Sequence, residues 1–251
     1  MKRFMTLVLC ALALGMVMPQ DAMAQKKKKS KEFVWELPEL TGNKDFDHYL
    51  LLCDTLNTEI KKYSEGITFF QMRPIVVTED GKEVDRQWCM VDTTTNTLRS
   101  SGEAFKQNMD IIMAYPNILL DMTNLSLATT SAGLELVNLG GMKPITYAKH
   151  LQAGPKIVAA GGKEMKKIYK LARKQAAQIK DLKAGKVDDD YARNAEVEAS
   201  NVDAGDASMN VLISSKPIFM DKATYEQQVG EINKKDAENP VSDDPLPEEA
   251  V

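Results

Sequence analysis

The chain is poor in the residues that anchor most chemistry. Among its 251 residues there are three cysteines, two histidines and two tryptophans, and aromatics make up 6%. His48, His150 and the scattered cysteines give no metal-ligand spacing, so no metal is expected. There is no G-x-G-x-x-G and no G-x-S-x-G. The nearest approach to a phosphate loop, Gly162-Lys163, is followed by Glu164, and Ile157 stands where its first glycine belongs. A cysteine nucleophile needs a base nearby, and nothing in the sequence brings either histidine to a thiol. Cationic excess is also missing: 32 Lys and Arg face 36 Asp and Glu, which speaks against a nucleic-acid partner. These absences lean the reading away from an enzyme and assign no cofactor.

What is present begins at the N-terminus. Lys2 and Arg3 precede an apolar stretch from Phe4 to Met18, Pro19 breaks it, and Ala22-Met23-Ala24 is a small-x-small cleavage site. This is the pattern of a secretory signal over residues 1–24, shorter than the ~20 apolar residues of a membrane helix. Cys10 after Leu7-Val8-Leu9 offers a lipidation alternative, with a short apolar core before it. An uncleaved anchor is a further one. The expected product is exported, periplasmic or secreted, and begins at Gln25; the pattern is compatible with a Gram-negative bacterial cell envelope. Loss of the signal removes two bases and one acid, so the remainder is mildly acidic. Residues 25–43, with Lys26 to Lys29 and Lys31, read as a basic, largely disordered segment.

Residues 44–235 read as a single helix-rich domain. Phe46, Leu50, Cys53 and Ile60 recur at helical spacing over Lys44 to Ser64. Ile67 to Thr78 and Glu83 to Asp92 read as strands joined by Asp80-Gly81, a hairpin at 67–92. Counting outward from that turn pairs Val77 with Val84, Arg73 with Trp88, Met72 with Cys89 and Phe70 with Val91. This puts Trp88, Cys89 and Val91 at a buried root. Met209 to Ser214 is the candidate third strand. Ser100 and Glu103 form a capping box for a helix over 101–114, which Pro116 is expected to end. The apolar span Ile118 to Leu139 is expected to be a central helix covered on most sides. Pro144 opens a helix to Gln152, a short helix holds Lys156 to Ala160, and Gly161-Gly162 separates it from a long helix over Lys163 to Lys183. A last helix covers Lys222 to Lys235, and residues 236–251 read as an acidic disordered tail. The fold class is therefore mainly α (α+β): a helical bundle-like domain with a small β-hairpin or short antiparallel sheet and disordered termini.

Three candidate sites emerge. Cys53 and Cys89 are a possible disulfide in an oxidising compartment, or two buried thiols. Asp45, Asp47 and His48, and the acidic run Asp188 to Asp206 with Asn201, are oxygen-rich, but the first suits a helix N-terminus and the second lacks the calcium-loop pattern. The helix over 163–183 carries the strongest signal. Its packing stripe is Met165, Ile168, Ala172, Gln175, Ile179 and Leu182. The opposite side bears Lys163, Lys166, Lys167, Lys170, Arg173 and Lys174, a possible anionic-surface face, unless Asp188 to Asp206 neutralises it.

The reading is thus an exported cell-envelope protein, a non-enzymatic binding or structural component whose partner the sequence does not identify, an anionic membrane or envelope polymer being the candidate. Its alternatives are a membrane-active protein using residues 118–139 and 163–183, and a hydrolase of an unfamiliar family. N-terminal sequencing of the exported protein should give Gln25 as the first residue; retention of Met1, or a lipidated Cys10, would overturn the assignment.

Overall fold

Apolar residues at helical spacing build most of this molecule, and the computed structural model describes residues 36–66, 70–92, 95–138, 143–200 and 212–248. Residues 1–35 lie outside the described residues, and with them the expected signal and most of the basic segment. In chain order the elements are α1 (Lys44–Gly66), β1 (Phe70–Glu79), β2 (Lys82–Asp92), α2 (Ser101–Asn138), α3 (Lys143–Leu151), α4 (Ala153–Lys183), α5 (Asp189–Ser200), β3 (Ile218–Asp221) and α6 (Lys222–Glu238). The fold is mainly α with a small three-stranded sheet.

Helices α1, α2 and α4 pack on one another. Asn43, just before α1, donates to Glu135 near the end of α2. Tyr115 of α2 stacks on Tyr169 of α4 with ring centroids 4.2 Å apart. Ser64 at the end of α1 donates to Glu164 of α4. These contacts make α2 antiparallel to both α1 and α4. Tyr49 joins all of them: it is fully buried, and its hydroxyl lies 2.9 Å from the carbonyls of His150 and Leu151 and accepts from the N–H of Gly154. A Cβ on Gly154 would stand 2.6 Å from Thr129 Oγ1 and 2.9 Å from the Tyr49 ring, so glycine is what lets three helices meet there.

Two expected helix breaks do not occur. Pro116 lies inside α2, which runs unbroken for 38 residues. A proline in a helix interior costs about 3 kcal/mol. Here Pro116 is exposed while Tyr115 and Ile118 beside it are buried in the core, and that burial holds both halves in line. Gly161-Gly162 does not divide α4 either. A Cβ at 161 would come within 2.3 Å of Ile60 Cδ1, so this glycine serves the close approach of α1 rather than a stop. Nor is α2 covered on most sides: Leu120, Leu127 and Leu134 are exposed.

The hairpin turns at Asp80-Gly81, both at positive φ (52° and 75°), as a two-residue turn requires. Its register differs by one residue from the count. Glu79 pairs with Lys82 and Thr78 with Glu83, then the register shifts, so Val77 opposes Asp85, Arg73 opposes Cys89, Met72 opposes Met90 and Phe70 opposes Asp92. The extra residue is Val84, a bulge that leaves it exposed. Val91 is buried at the root, and Trp88 and Cys89 are half-buried.

The third strand is β3, parallel to β1, so the sheet is mixed and ordered β2-β1-β3. Of the expected strand, residues 209–211 lie outside the described residues, and Ile213 forms only a single bridge to Met72. Pro74 explains the interruption. Met72 N–H and C=O bond to Leu212 and Ser214 on the β3 side, so the missing Pro74 N–H points the same way. The neighbouring chain detours there and pairing resumes at Ile75 with Ile218. Ile75, Val77, Val91 and Met220 make the buried face of the sheet, with Tyr225 of α6 against it.

Helix α6 also fastens the start of α2. Ser100 Oγ accepts from Glu103 N–H, as a capping residue should, but Glu103 turns to Lys235 instead of reaching back. The Asp236 carboxylate accepts from Ser100 Oγ at 2.5 Å and from Gly102 N–H at 2.9 Å. The acidic end of the chain is therefore placed, contrary to its expected disorder. Val241 is buried, and Val241, Asp244 and Pro247 offer carbonyls to Lys183, Lys180 and Arg173, so the segment runs antiparallel to α4. Hydrogen bonds to three cations and a buried valine give it contacts that composition cannot show.

Gly102 tests this junction. A Cβ there would lie 1.7 Å from the Asn239 carbonyl oxygen, a backbone atom. Gly102→Ala should destabilise the protein by about 1–3 kcal/mol in urea unfolding, despite the better helix propensity of alanine.

Candidate anionic-surface interface

Helix α4 owes its orientation to its buried stripe. Met165, Ile168, Ala172, Gln175 and Ile179 all face the core, which turns the intervening cations outward. Lys163, Lys166, Lys167 and Lys170 are exposed, and Lys174 and Arg173 are half-buried. The exposed four fall within two turns of helix, about 11 Å along the axis.

Arg173 is a different kind of residue from its neighbours. Its guanidinium sits 5.7 Å from the Tyr169 ring centroid, donates to the Tyr169 hydroxyl at 3.2 Å and to the Pro247 carbonyl. It terminates the Tyr115–Tyr169 stack and holds the C-terminal segment. Lys180 and Lys183 are engaged by the same segment. The cations of α4 thus divide into an outer group at 163–170 and an inner set, Arg173, Lys180 and Lys183, that the chain's own C-terminal segment engages. Sequence spacing placed all of them on one side and could not make this division.

Among the described residues, the acids expected to neutralise α4 are employed elsewhere. Asp188 caps α5 through the Tyr191 N–H, Asp189 pairs with Arg86 of β2 at 3.1 Å, Asp190 pairs with Arg193, and Glu196 accepts from Ser215. Residues 189–200 are a helix rather than a loop, because the acids sit at its N-terminus and Ala192 is buried. Residues 201–206, including Asn201, Asp203 and Asp206, lie outside the described residues.

The other candidates are structural. Asp47 accepts from Thr41 N–H, Thr41 Oγ1 and Gly42 N–H, and Asn43 caps α1 through Asp45 and Phe46 N–H. Among the described residues no group of three His, Cys, Asp or Glu side chains is placed to hold a metal ion. No described helix is long and apolar enough to cross a membrane. A shallow groove of about 750 Å³ lies between α1 and α2, lined in part by Lys62, Arg99, Glu103, Lys106 and Asp110.

The possible Cys53–Cys89 bridge is not formed, and both thiols are free, the alternative reading. Cys53 lies in the helical core beside Tyr49, whereas Cys89 sits against Tyr225 beside the sheet, so different elements carry them into different cores. Burial pushes both thiols up to about 11, partly offset by the tyrosine hydrogen bonds. Burial likewise raises Tyr225 to about 12 and Tyr49 further.

No known protein family, curated protein or solved structure matches the chain.

The thiol environments have a measurable consequence. At pH 8 roughly one thiol in a thousand would be ionised with a pKa near 11. Iodoacetamide should leave Cys53 and Cys89 unmodified in the folded protein and alkylate both in urea, read by mass spectrometry. Because the folded state favours the neutral thiols, their contribution is intact below about pH 9 and is lost as pH rises through about 11.

Proposed function

We propose that the protein is an exported, non-enzymatic binding or structural component of the cell envelope, which docks on an anionic surface through the outer lysines of α4. One observation carries the reading. Among the described residues, Lys163, Lys166 and Lys170 stand exposed in a short arc of helix and make no ion pair, while Asp189, Asp190 and Glu164 are engaged by other partners. A neutralised bundle face would show the opposite pairing. The core and the C-terminal segment fix α4 from behind, so these cations are presented on a rigid support and little ordering entropy is lost on binding.

The physical scale is adequate for reversible docking. Each lysine near an anionic lipid surface contributes about 1 kcal/mol, so three supply roughly a hundredfold in affinity. The attraction is short in range, since exposed charges are screened over ~8 Å at physiological ionic strength. A phosphate-bearing polymer offers the same chemistry as a phospholipid headgroup, and both are candidate surfaces for an envelope protein.

Lys163→Glu, Lys166→Glu and Lys170→Glu combined should lower association with phosphatidylglycerol vesicles, or with soluble polyphosphate, by about a hundredfold or more. The melting temperature should hardly change, as exposed substitutions cost under about 0.5 kcal/mol each. Native binding should weaken steeply with added salt. Equal binding by native and reversed chains would refute the proposal, and a lowered melting temperature with unchanged binding would return α4 to an internal role.

A further inference from the structure

Helix α2 carries a second surface feature, remote in character from the lysines of α4. Met113, Leu120, Leu127 and Leu134 are 61%, 59%, 66% and 64% exposed. They recur at an interval of seven residues and make one stripe about 32 Å long. The inward side of the same helix is filled by Tyr115, Ile118, Met122 and Leu125, so the stripe is not a displaced core.

We infer that this stripe is a seam on which a second copy of the chain packs, α2 against α2. The spacing is the first reason. On a straight helix a seven-residue row drifts by about 20° per heptad, so a row kept over three heptads follows a left-handed supercoil, the path of a partner helix. Charge is the second. Every exposed position of α2 from Met113 to Leu134 is uncharged, and the sequence has no Lys or Arg between Lys106 and Lys143. A helix lying on a membrane carries cations beside its apolar face; this one has none. Two identical uncharged faces meet without like-charge repulsion.

Two of the hydroxyls between the leucines are the third reason. Thr123 Oγ1 donates to the Leu119 carbonyl at 3.0 Å, and Ser126 Oγ to the Met122 carbonyl at 2.8 Å. Their protons are already used inside the helix, so covering them leaves no unsatisfied donor. Finally, four large apolar side chains per copy, with the shorter residues between them, amount to a joint surface on the order of 1,000 Å², the lower limit for a specific interface. Helix α2 is also supported along its other side by α1 and α4, so its surface is preformed.

Sedimentation analysis of the protein, purified without truncation in the form cells accumulate, is the test. The native chain should be dimeric at tens of micromolar. Leu120→Lys combined with Leu127→Lys should weaken the dimer at least a hundredfold and, at a concentration where the native chain is monomeric, leave the melting temperature unchanged, because both positions face solvent in the single chain. If that variant melts lower, Thr123→Lys with Thr130→Lys, at exposed positions flanking the stripe, should weaken the dimer by itself. A native chain that stays monomeric to 100 µM, or a dimer indifferent to both variants, would overturn the inference. So would a monomer that floats with neutral phosphatidylcholine vesicles and loses that binding in the Leu120→Lys, Leu127→Lys chain, which would make the stripe a lipid contact.

Discussion

The buried hydroxyl of Tyr49 is the constraint around which the helices are arranged. A phenol taken out of water must find partners or forfeit about 1–3 kcal/mol. Here its partners are the His150 and Leu151 carbonyls and the Gly154 N–H. Those are the loose backbone groups at the junction of α3 and α4. One side chain from α1 therefore sets where α3 ends and α4 begins. The same contact demands glycine at 154, since the Tyr49 ring and Thr129 of α2 occupy the space of a Cβ. With α4 fixed at its start and again by Ile60 against Gly161, its buried stripe and its lysine face have only one orientation.

The β element is attached by a different device. Its buried face is completed by α6, and α6 reaches the start of α2 through Asp236, Glu103 and Lys235. Asp221 opens α6 by accepting from the Thr224 N–H and hydroxyl, which hold its carboxyl below the usual range. The chain thus returns from the sheet to the N-terminus of α2 and then runs along α4. Asp236 neutralises the positive end of α2, and the carbonyls beyond it occupy Arg173, Lys180 and Lys183. The Asp236 carboxylate fits this end to a helix terminus, and the backbone carbonyls beyond it fit it to a row of cations.

Two surfaces of opposite character follow from this arrangement. The outer lysines of α4 are a charged face whose neighbouring acids are engaged elsewhere. The heptad stripe of α2 is a neutral face on which the Thr123 and Ser126 hydroxyls are already bonded within the helix. The first suits a polyanion and the second suits a copy of itself. On the two proposals together, the protein works by contact, and a paired chain would present two lysine faces, raising its avidity for an extended anionic surface.

Sequence alone determined the elements with strong local chemistry. Helical periodicity specified α1 and the inward stripe of α4, Asp80-Gly81 specified the hairpin turn, and Ser100 specified the start of α2. Each depends on groups a few residues apart, which composition and spacing reveal directly. Tertiary structure decided the rest. Pro116 and Gly161-Gly162 are helix breakers locally, and only the core beside them and the close approach of α1 keep α2 and α4 whole. The Val84 bulge shifted the hairpin by one residue, because burial of the strand faces outweighs regular pairing. Pro74 sent the third strand to 218–221. Cys53 and Cys89, a plausible pair by compartment, were carried to different cores. The lysines of α4 were legible as a group, but their division into outer and inner sets depends on where the last residues of the chain lie. That is a long-range packing outcome, and no local pattern encodes it.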